Sequence, residues 1–399
     1  VLALLLAANH CLAAEPVQDQ INSLQSQIDA LKDQLRNAPS TAVDKPENSG
    51  TTTLGGYGEF TYNNYRDGSV KDEADLRRFV LFIGHSFNER IQLYSELEVE
   101  HAVVEGDHGE LALEQAYLQF SLSGTSRVRA GLLLMPVGFL NEYHEPPAFH
   151  GVERNEVETR IIPSTWRELG VSLQAQLDSG WALTAGIATS PDASKFQDAS
   201  SGVREMRSEG RQAAAHDLAL FAGASYRALP GLDLGGSIFT GNTSQGGAGA
   251  NPGSDLSGVS ARLTLWDVHV RYTVGGLDLK ALYARGSLSD TAAINASAGI
   301  APASGLAAPG TFFGWYGEAA YRVWRSGDRE LIPFVRLERY NTQATVADGF
   351  ASDDRNNERV KTMGASFRLH PQIVVKVDFQ KYATDSLKDR FNLGFGYLF

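Results

Sequence analysis

Arg390-Phe391-Asn392-Leu393-Gly394-Phe395-Gly396-Tyr397-Leu398-Phe399 sets an aromatic ring or a leucine at every odd position, with polar residues or glycine between them up to Gly396. Side chains of an extended chain alternate between two faces, so this stretch reads as a strand with one apolar side. Two other segments follow the same rule. In 91–100, Ile91, Leu93, Leu97 and Val99 oppose Gln92, Glu96, Glu98 and Glu100, and in 169–177, Leu169, Val171, Leu173, Ala175 and Leu177 oppose Gly170, Ser172, Gln174 and Gln176. Such strands belong either to a sandwich with one wet side or to a barrel whose polar face lines water.

Connection lengths decide between the two. The pattern predicts about sixteen strands, near 53–65, 75–86, 89–101, 111–122, 126–134, 167–178, 181–190, 214–228, 231–241, 259–273, 277–287, 311–325, 329–341, 358–369, 372–383 and 388–399. Tight turns fall at every second junction, around Phe87-Asn88, Gly124-Thr125, Ser179-Gly180, Pro230, Gly275-Gly276, Gly327-Asp328 and His370-Pro371. Most of the others are long, notably 135–166, 191–213, 242–258, 288–310 and 342–357. An even number of strands with short turns at one end and long loops at the other is the pattern of a closed outer-membrane β-barrel. Tyr57, Tyr62, Tyr65, Trp166, Trp181, Tyr272, Trp315, Tyr321, Trp324 and Tyr397 are expected near strand ends as interfacial girdles. The strand at 259–273 changes phase between Leu265 and Trp266, which predicts a bulge.

The N-terminal part reads differently. VLALLLAA at 1–8 and Leu12-Ala13-Ala14 resemble the apolar core and small-residue end of a signal peptide, so 1–14 is assigned to it. Val17, Ile21, Leu24, Ile28, Leu31 and Leu35 form a heptad seam, which makes 15–37 an oligomerisation helix in a coiled coil. Residues 38–52 are a polar linker, and the barrel is expected over 53–399. The composition excludes other classes. The 399 residues carry a net charge of -12 without Lys/Arg blocks, which argues against nucleic acid as a partner. The single cysteine, Cys11, lies in the signal, so a mature chain has no thiol chemistry. No run of eighteen apolar residues follows the signal.

The order of signal, heptad helix, linker and sixteen-strand barrel resembles the phosphate-selective porin family, including members with an N-terminal coiled coil. Gly55-Gly56-Tyr57-Gly58-Glu59-Phe60, and Arg127-Val128-Arg129-Ala130-Gly131 leading to Met135-Pro136-Val137-Gly138, are the local matches. The resemblance implies a homotrimer, passive diffusion of small anions, and a long loop after the fifth strand folding into the pore. Where the family often has a Gly-Gln-Phe-Lys-like run, this chain has Leu132-Leu133-Leu134-Met135. The free C-terminal Phe399 resembles the signal read by the barrel-insertion machinery.

Rings of charge at the narrowest part give a pore its selectivity. Expected lumenal residues are Arg78, Arg127, Arg129, Arg322, Arg336 and Lys376 against Glu96, Glu98 and Glu100, with Lys280, Arg368, Arg390, Glu59, Asp278, Glu318, Glu338 and Asp378 also inward. Acidic residues on 89–101 facing basic ones on 126–134 would give a transverse field; the alternative is paired charges that stiffen the wall. The loop 135–166, with Glu142, His144, Glu145, His150, Glu153, Arg154 and Arg160, is expected to form the constriction. His144 and His150 are not at helical i, i+4 spacing and Pro146-Pro147 bars a helix between them, so no metal and no cofactor is expected. The function expected is a porin for small solutes such as phosphate or carboxylates, working among outer-membrane lipid. A periplasm-bridging tether and a barrel enzyme using a serine beside His216 or His269 are the alternatives.

Overall fold

The computed structural model describes residues 50–102, 109–247 and 255–399. The expected signal, the heptad helix and nearly all of the linker lie outside the described residues. Sixteen antiparallel strands close into one barrel. They are β1 Thr51–Tyr65, β2 Glu73–Ser86, β3 Ile91–Glu100, β4 Leu111–Ser121, β5 Ser126–Leu134, β6 Arg167–Gln176, β7 Trp181–Thr189, β8 Leu218–Tyr226, β9 Leu232–Gly241, β10 Leu263–Val274, β11 Leu277–Leu288, β12 Pro309–Tyr321, β13 Arg329–Val346, β14 Asn357–His370, β15 Ile373–Tyr382 and β16 Arg390–Leu398. β1 begins two residues before the expected 53, and β13 runs past the expected end at 341. A three-residue strand, Trp324–Ser326, continues β12 along β13: Ala320 faces Phe334 and Trp324 faces Leu331, one residue out of step, as a bulge requires.

β1 closes on β16 from Tyr57 opposite Leu398 to Tyr65 opposite Arg390, and Gly56 and Phe399 exchange backbone hydrogen bonds of 3.0 and 2.9 Å at the end of the seam. Closure removes the free edges that an open sheet would present. All seven expected tight turns join consecutive strands at the end where β1 starts and β16 ends.

The distribution of polarity is inverted relative to a soluble protein. On β16, Phe391, Leu393 and Phe395 are 42, 45 and 37% exposed on the outside, while Asn392 is fully buried inside. On β15 the inward residues are Val374, Lys376, Asp378, Gln380 and Tyr382. An apolar outer wall on a closed, fully paired sheet belongs in a lipid bilayer, and barrels of this construction sit in the bacterial outer membrane with short turns toward the periplasm.

Three expectations are corrected. β10 pairs with both neighbours without a register shift, so the bulge at Leu265/Trp266 is absent. Leu263 and Leu265 point inward like Asp267, in phase, because the loop half of the lumen is filled by an apolar core that includes Phe239, Phe312, Met206 and Ile294. Tyr57 and Trp166 are fully buried inside and do not belong to a girdle; Trp166 packs on Phe239 with ring centroids 4.3 Å apart. Trp181, Tyr272, Tyr321 and Trp324 do lie exposed on the outer wall near strand ends. The real bulges lie elsewhere. Glu59 pairs with Arg78 while Phe60 pairs with Leu76, and Glu96 pairs with Gln115 while Leu97 pairs with Leu113, so Arg77 and Glu114 are extra residues in their strands.

Candidate functional site

The connection 135–166 starts at the end of β5 and turns back into the lumen. Its neck is held by Met135 N–H donating to Trp166 O (3.0 Å) and by Asn141, whose amide donates to Met135 O (2.7 Å) and Trp166 O (2.8 Å) and accepts from Trp166 N–H (2.6 Å). Gly138 adopts a φ of 69°, and its N–H donates to Asp267 on β10 (3.2 Å). A π-helical turn, Val157–Ile161, carries Glu158, which accepts from Phe139 N–H (2.5 Å), Leu140 N–H (2.7 Å), Asn155 (2.8 Å) and Tyr316 (2.9 Å). A carboxylate with four donors costs little to bury.

Farther along, the loop reaches the opposite wall. Val152 N–H donates to Asp378 (2.6 Å), Lys376 Nζ to Gly151 O (2.8 Å), Ser366 to His150 O (2.8 Å) and Glu156 N–H to Glu338 (2.7 Å). Lys376 also stands 3.5 Å above the Phe149 ring. Glu153 accepts from Asn63 (2.9 Å) and pairs with Arg77 (3.3 Å), while Glu156 accepts from Tyr382 (2.6 Å) and pairs with Arg160 within the loop. Burial opposes ionisation of both carboxyls, yet Arg77 and Arg390 beside Glu153, and Arg160 and Arg390 beside Glu156, hold each at about 2. Burial pushes the Glu142 carboxyl up.

The expected site residues therefore divide. Arg78 (7% exposed) lies 3.2 Å from Glu59 and 3.4 Å from Glu98, and Arg336 (2%) lies 2.7 Å from Glu338 and 3.3 Å from Glu318. Glu96 is covered by the loop, with Gln115 donating to it (2.6 Å) and His144 beside it (3.9 Å). Glu100 sits at the loop end of β3, and Arg322 lies in the turn after β12, 3.0 Å from Glu330. His144 and His150 are apart: the first faces Glu114 at 3.0 Å, the second Asp278 at 3.1 Å. Glu145 lines a smaller cavity beside Glu142, and Arg154 Nη1 donates to Thr165 (3.2 Å).

A cavity of about 440 Å³ remains between the loop and the wall from β4 to β13, reaching the periplasmic turn 123–126. Six cations line it, Arg127, Arg129, Arg227, Arg271, Lys280 and Arg336, against three carboxylates, Glu142, Asp233 and Glu318. Arg227, Arg271 and Lys280 have carboxylates at 3.1, 2.8 and 3.6 Å. Arg127 and Arg129 have none within 4.0 Å among the described residues; they donate to Gln174 (2.8 Å) and Gln119 (3.0 Å), and Arg129 lies 4.8 Å above the Tyr117 ring. Arg77 and Glu114 were not among the expected site residues. The adjacent polar pairs Arg77-Arg78 and Glu114-Gln115 break the two-residue alternation, and that is the signal a bulge leaves.

No protein-family model matches the chain. Its fold is similar to the trimer form of OmpT, an outer membrane protein of Vibrio cholerae (TM-score 0.54, 11% identity, 88% of this chain and 100% of that one). It is similar as well to Salmonella typhi OmpF in complex with daunomycin (0.54, 12%, 90% and 100%). The outer membrane channel DcaP of Acinetobacter baumannii (0.54, 14%, 90% and 100%) is another such structure. The likeness shows the fold, a closed barrel shared with these outer-membrane proteins. An uncharacterized protein of Aquifex aeolicus (strain VF5) is 32% identical over 346 residues, covering 85% of this chain and 76% of the relative, and the chain belongs to the same family as that protein.

Proposed function

We propose that the protein is a passive outer-membrane channel for small solutes that favours small anions such as phosphate or carboxylates, as its resemblance to the phosphate-selective porins implies. The observation that carries this reading is the pair Arg127 and Arg129, two lumenal guanidiniums without a carboxylate partner among the described residues in a cavity lined by more cations than acids. A paired charge is largely cancelled for a passing ion; an unpaired one is felt in full. The net charge of -12 does not oppose this, because Glu96, Glu98, Glu158 and Glu338 are buried against donors or cations away from the open space. The loop 135–166 sets the exclusion limit.

The channel works as a homotrimer among outer-membrane lipid. The channel reading is favoured over the barrel enzyme: among the described residues Ser237 and His269 both bond to Asp267 and not to each other, and His216 faces Asp217. The test is the reversal potential of purified protein in a planar bilayer across a salt gradient. An anion-selective potential is expected. Changing Arg127 and Arg129 together to Ala should lower the anion-to-cation ratio severalfold, since one charge ~4 Å from an ion in water is worth about 1 kcal/mol. A wild-type ratio that favours cations would refute the assignment, and absence of conductance would leave the tether.

A further inference from the structure

We infer that Glu96, Glu114 and His144 form a divalent-metal site of the zinc class that staples the constriction loop to the barrel wall. Their ligand atoms all lie within 4.8 Å of one another and all three residues are buried. His144 Nε2 is 3.0 Å from Glu114 Oε2 and 3.9 Å from Glu96 Oε1. Ligands about 2.1 Å from a tetrahedral zinc stand roughly 3.4 Å apart, between these two values.

Two independent features point to a cation there. The first is the other ring nitrogen: Nδ1 is 3.3 Å from the Asn141 carbonyl oxygen. A carbonyl only accepts, so Nδ1 carries the hydrogen, and Nε2 faces the two carboxyl groups either as the second N–H of an imidazolium or as a lone pair; as a lone pair it needs a positive centre between itself and the carboxylates. This second-shell carbonyl is also how metal-binding histidines are commonly oriented, and Asn141 is itself fixed by its three bonds across the loop neck. The second is Glu114 Oε1, an oxygen fully buried without a hydrogen-bond partner on a side chain that is 0% exposed.

The surroundings agree. Glu114 is the extra residue of the β4 bulge, so the bulge turns both it and Gln115 inward, and Gln115 holds Glu96 Oε2 and leaves Oε1 toward the histidine. Glu98 is taken by Arg78, and the Arg154 guanidinium is the other cation near Glu114. One imidazole with two carboxylates suits zinc and its neighbours, whereas calcium and magnesium favour all-oxygen sites. A cavity of about 200 Å³ beside the cluster is lined by Gln115 and by Glu142, Tyr143 and Glu145, the neighbours of His144 in the loop. The site does not depend on which solute the channel passes.

The experiment uses the full chain folded in detergent, stripped with chelator and titrated with Zn²⁺ at neutral pH in excess Mg²⁺, with metal content and calorimetry as readouts. One tightly bound Zn²⁺ per chain is expected, and Co²⁺ in its place should give visible d–d absorption. His144→Gln and Glu114→Gln, each verified as a folded barrel by heat-modifiable mobility, should weaken binding at least about tenfold. No stoichiometric Zn²⁺ on the unmodified protein would overturn the inference without recourse to any variant. Equal binding by a folded His144→Gln protein would overturn it too, by assigning the metal to other histidines. In that event the pair is an imidazolium ion pair only.

Discussion

Glu153 and Glu156 anchor the loop through charge, so their protonation reports on it. Both carboxyls are held at about 2, below the usual 4.5. A depressed carboxyl contributes stability that is complete above the unfolded value and is lost as pH falls through the folded one. Docking should therefore be unchanged from neutral pH to about 4.5 and weaken progressively toward 2, seen as growing open-channel noise or a rise in single-channel conductance. A flat record to pH 2.5 would mean that the backbone bonds of Val152 and Glu156 hold the loop unaided. Arg336 separates wall charges from pore charges. It is buried between Glu318 and Glu338, and its removal leaves Glu338 with no cation and only the Glu156 N–H, and Glu318 with Lys280 alone, so Arg336→Met should cost about 3–5 kcal/mol in urea unfolding. Arg127→Ala, with only a glutamine partner, should stay within about 0.5 kcal/mol.

At the level of the strand, period-two alternation exposes itself to reading because one face must meet lipid and the other water, and β3, β6 and β16 lie close to where that alternation puts them. The bulges are legible only as small breaks in it, and their effect is large: Arg77 reaches Glu153 and Glu114 reaches His144 only because each is the extra residue of its strand. The apparent phase change at Leu265 misled for the opposite reason. An inward residue in the loop half is covered by other loops rather than by water, and that burial depends on contacts with Phe239 and Phe312, distant in the chain. If the β2 bulge exists to aim Arg77, deletion of Arg77 and Arg77→Ala should behave alike. Both should fold as heat-modifiable barrels and both should show the loop noise of low pH already at neutral pH. A deletion that fails to insert while the alanine variant inserts would show that the bulge shapes the barrel itself.

For the molecule as a whole, total charge is a poor guide to the lumen, because the ion pairs that cancel inward charges join residues as distant as Arg77 and Glu153 or Lys280 and Glu318. Association poses the same question of which surface dominates. A helix of about three heptads pays the full cost of nucleation for few residues and is marginal by itself in water. The barrel wall offers the larger surface, continuous around a closed sheet and already apolar. The proposed homotrimer should accordingly survive removal of residues 15–48, which stops short of β1 at Thr51. Light scattering of that truncated protein in mild detergent should still give the mass of three chains, and a peptide of residues 15–37 alone should show little helix by circular dichroism at micromolar concentration. Monomeric truncated barrels together with a helical, self-associating peptide would transfer the assembly from the wall to the helix.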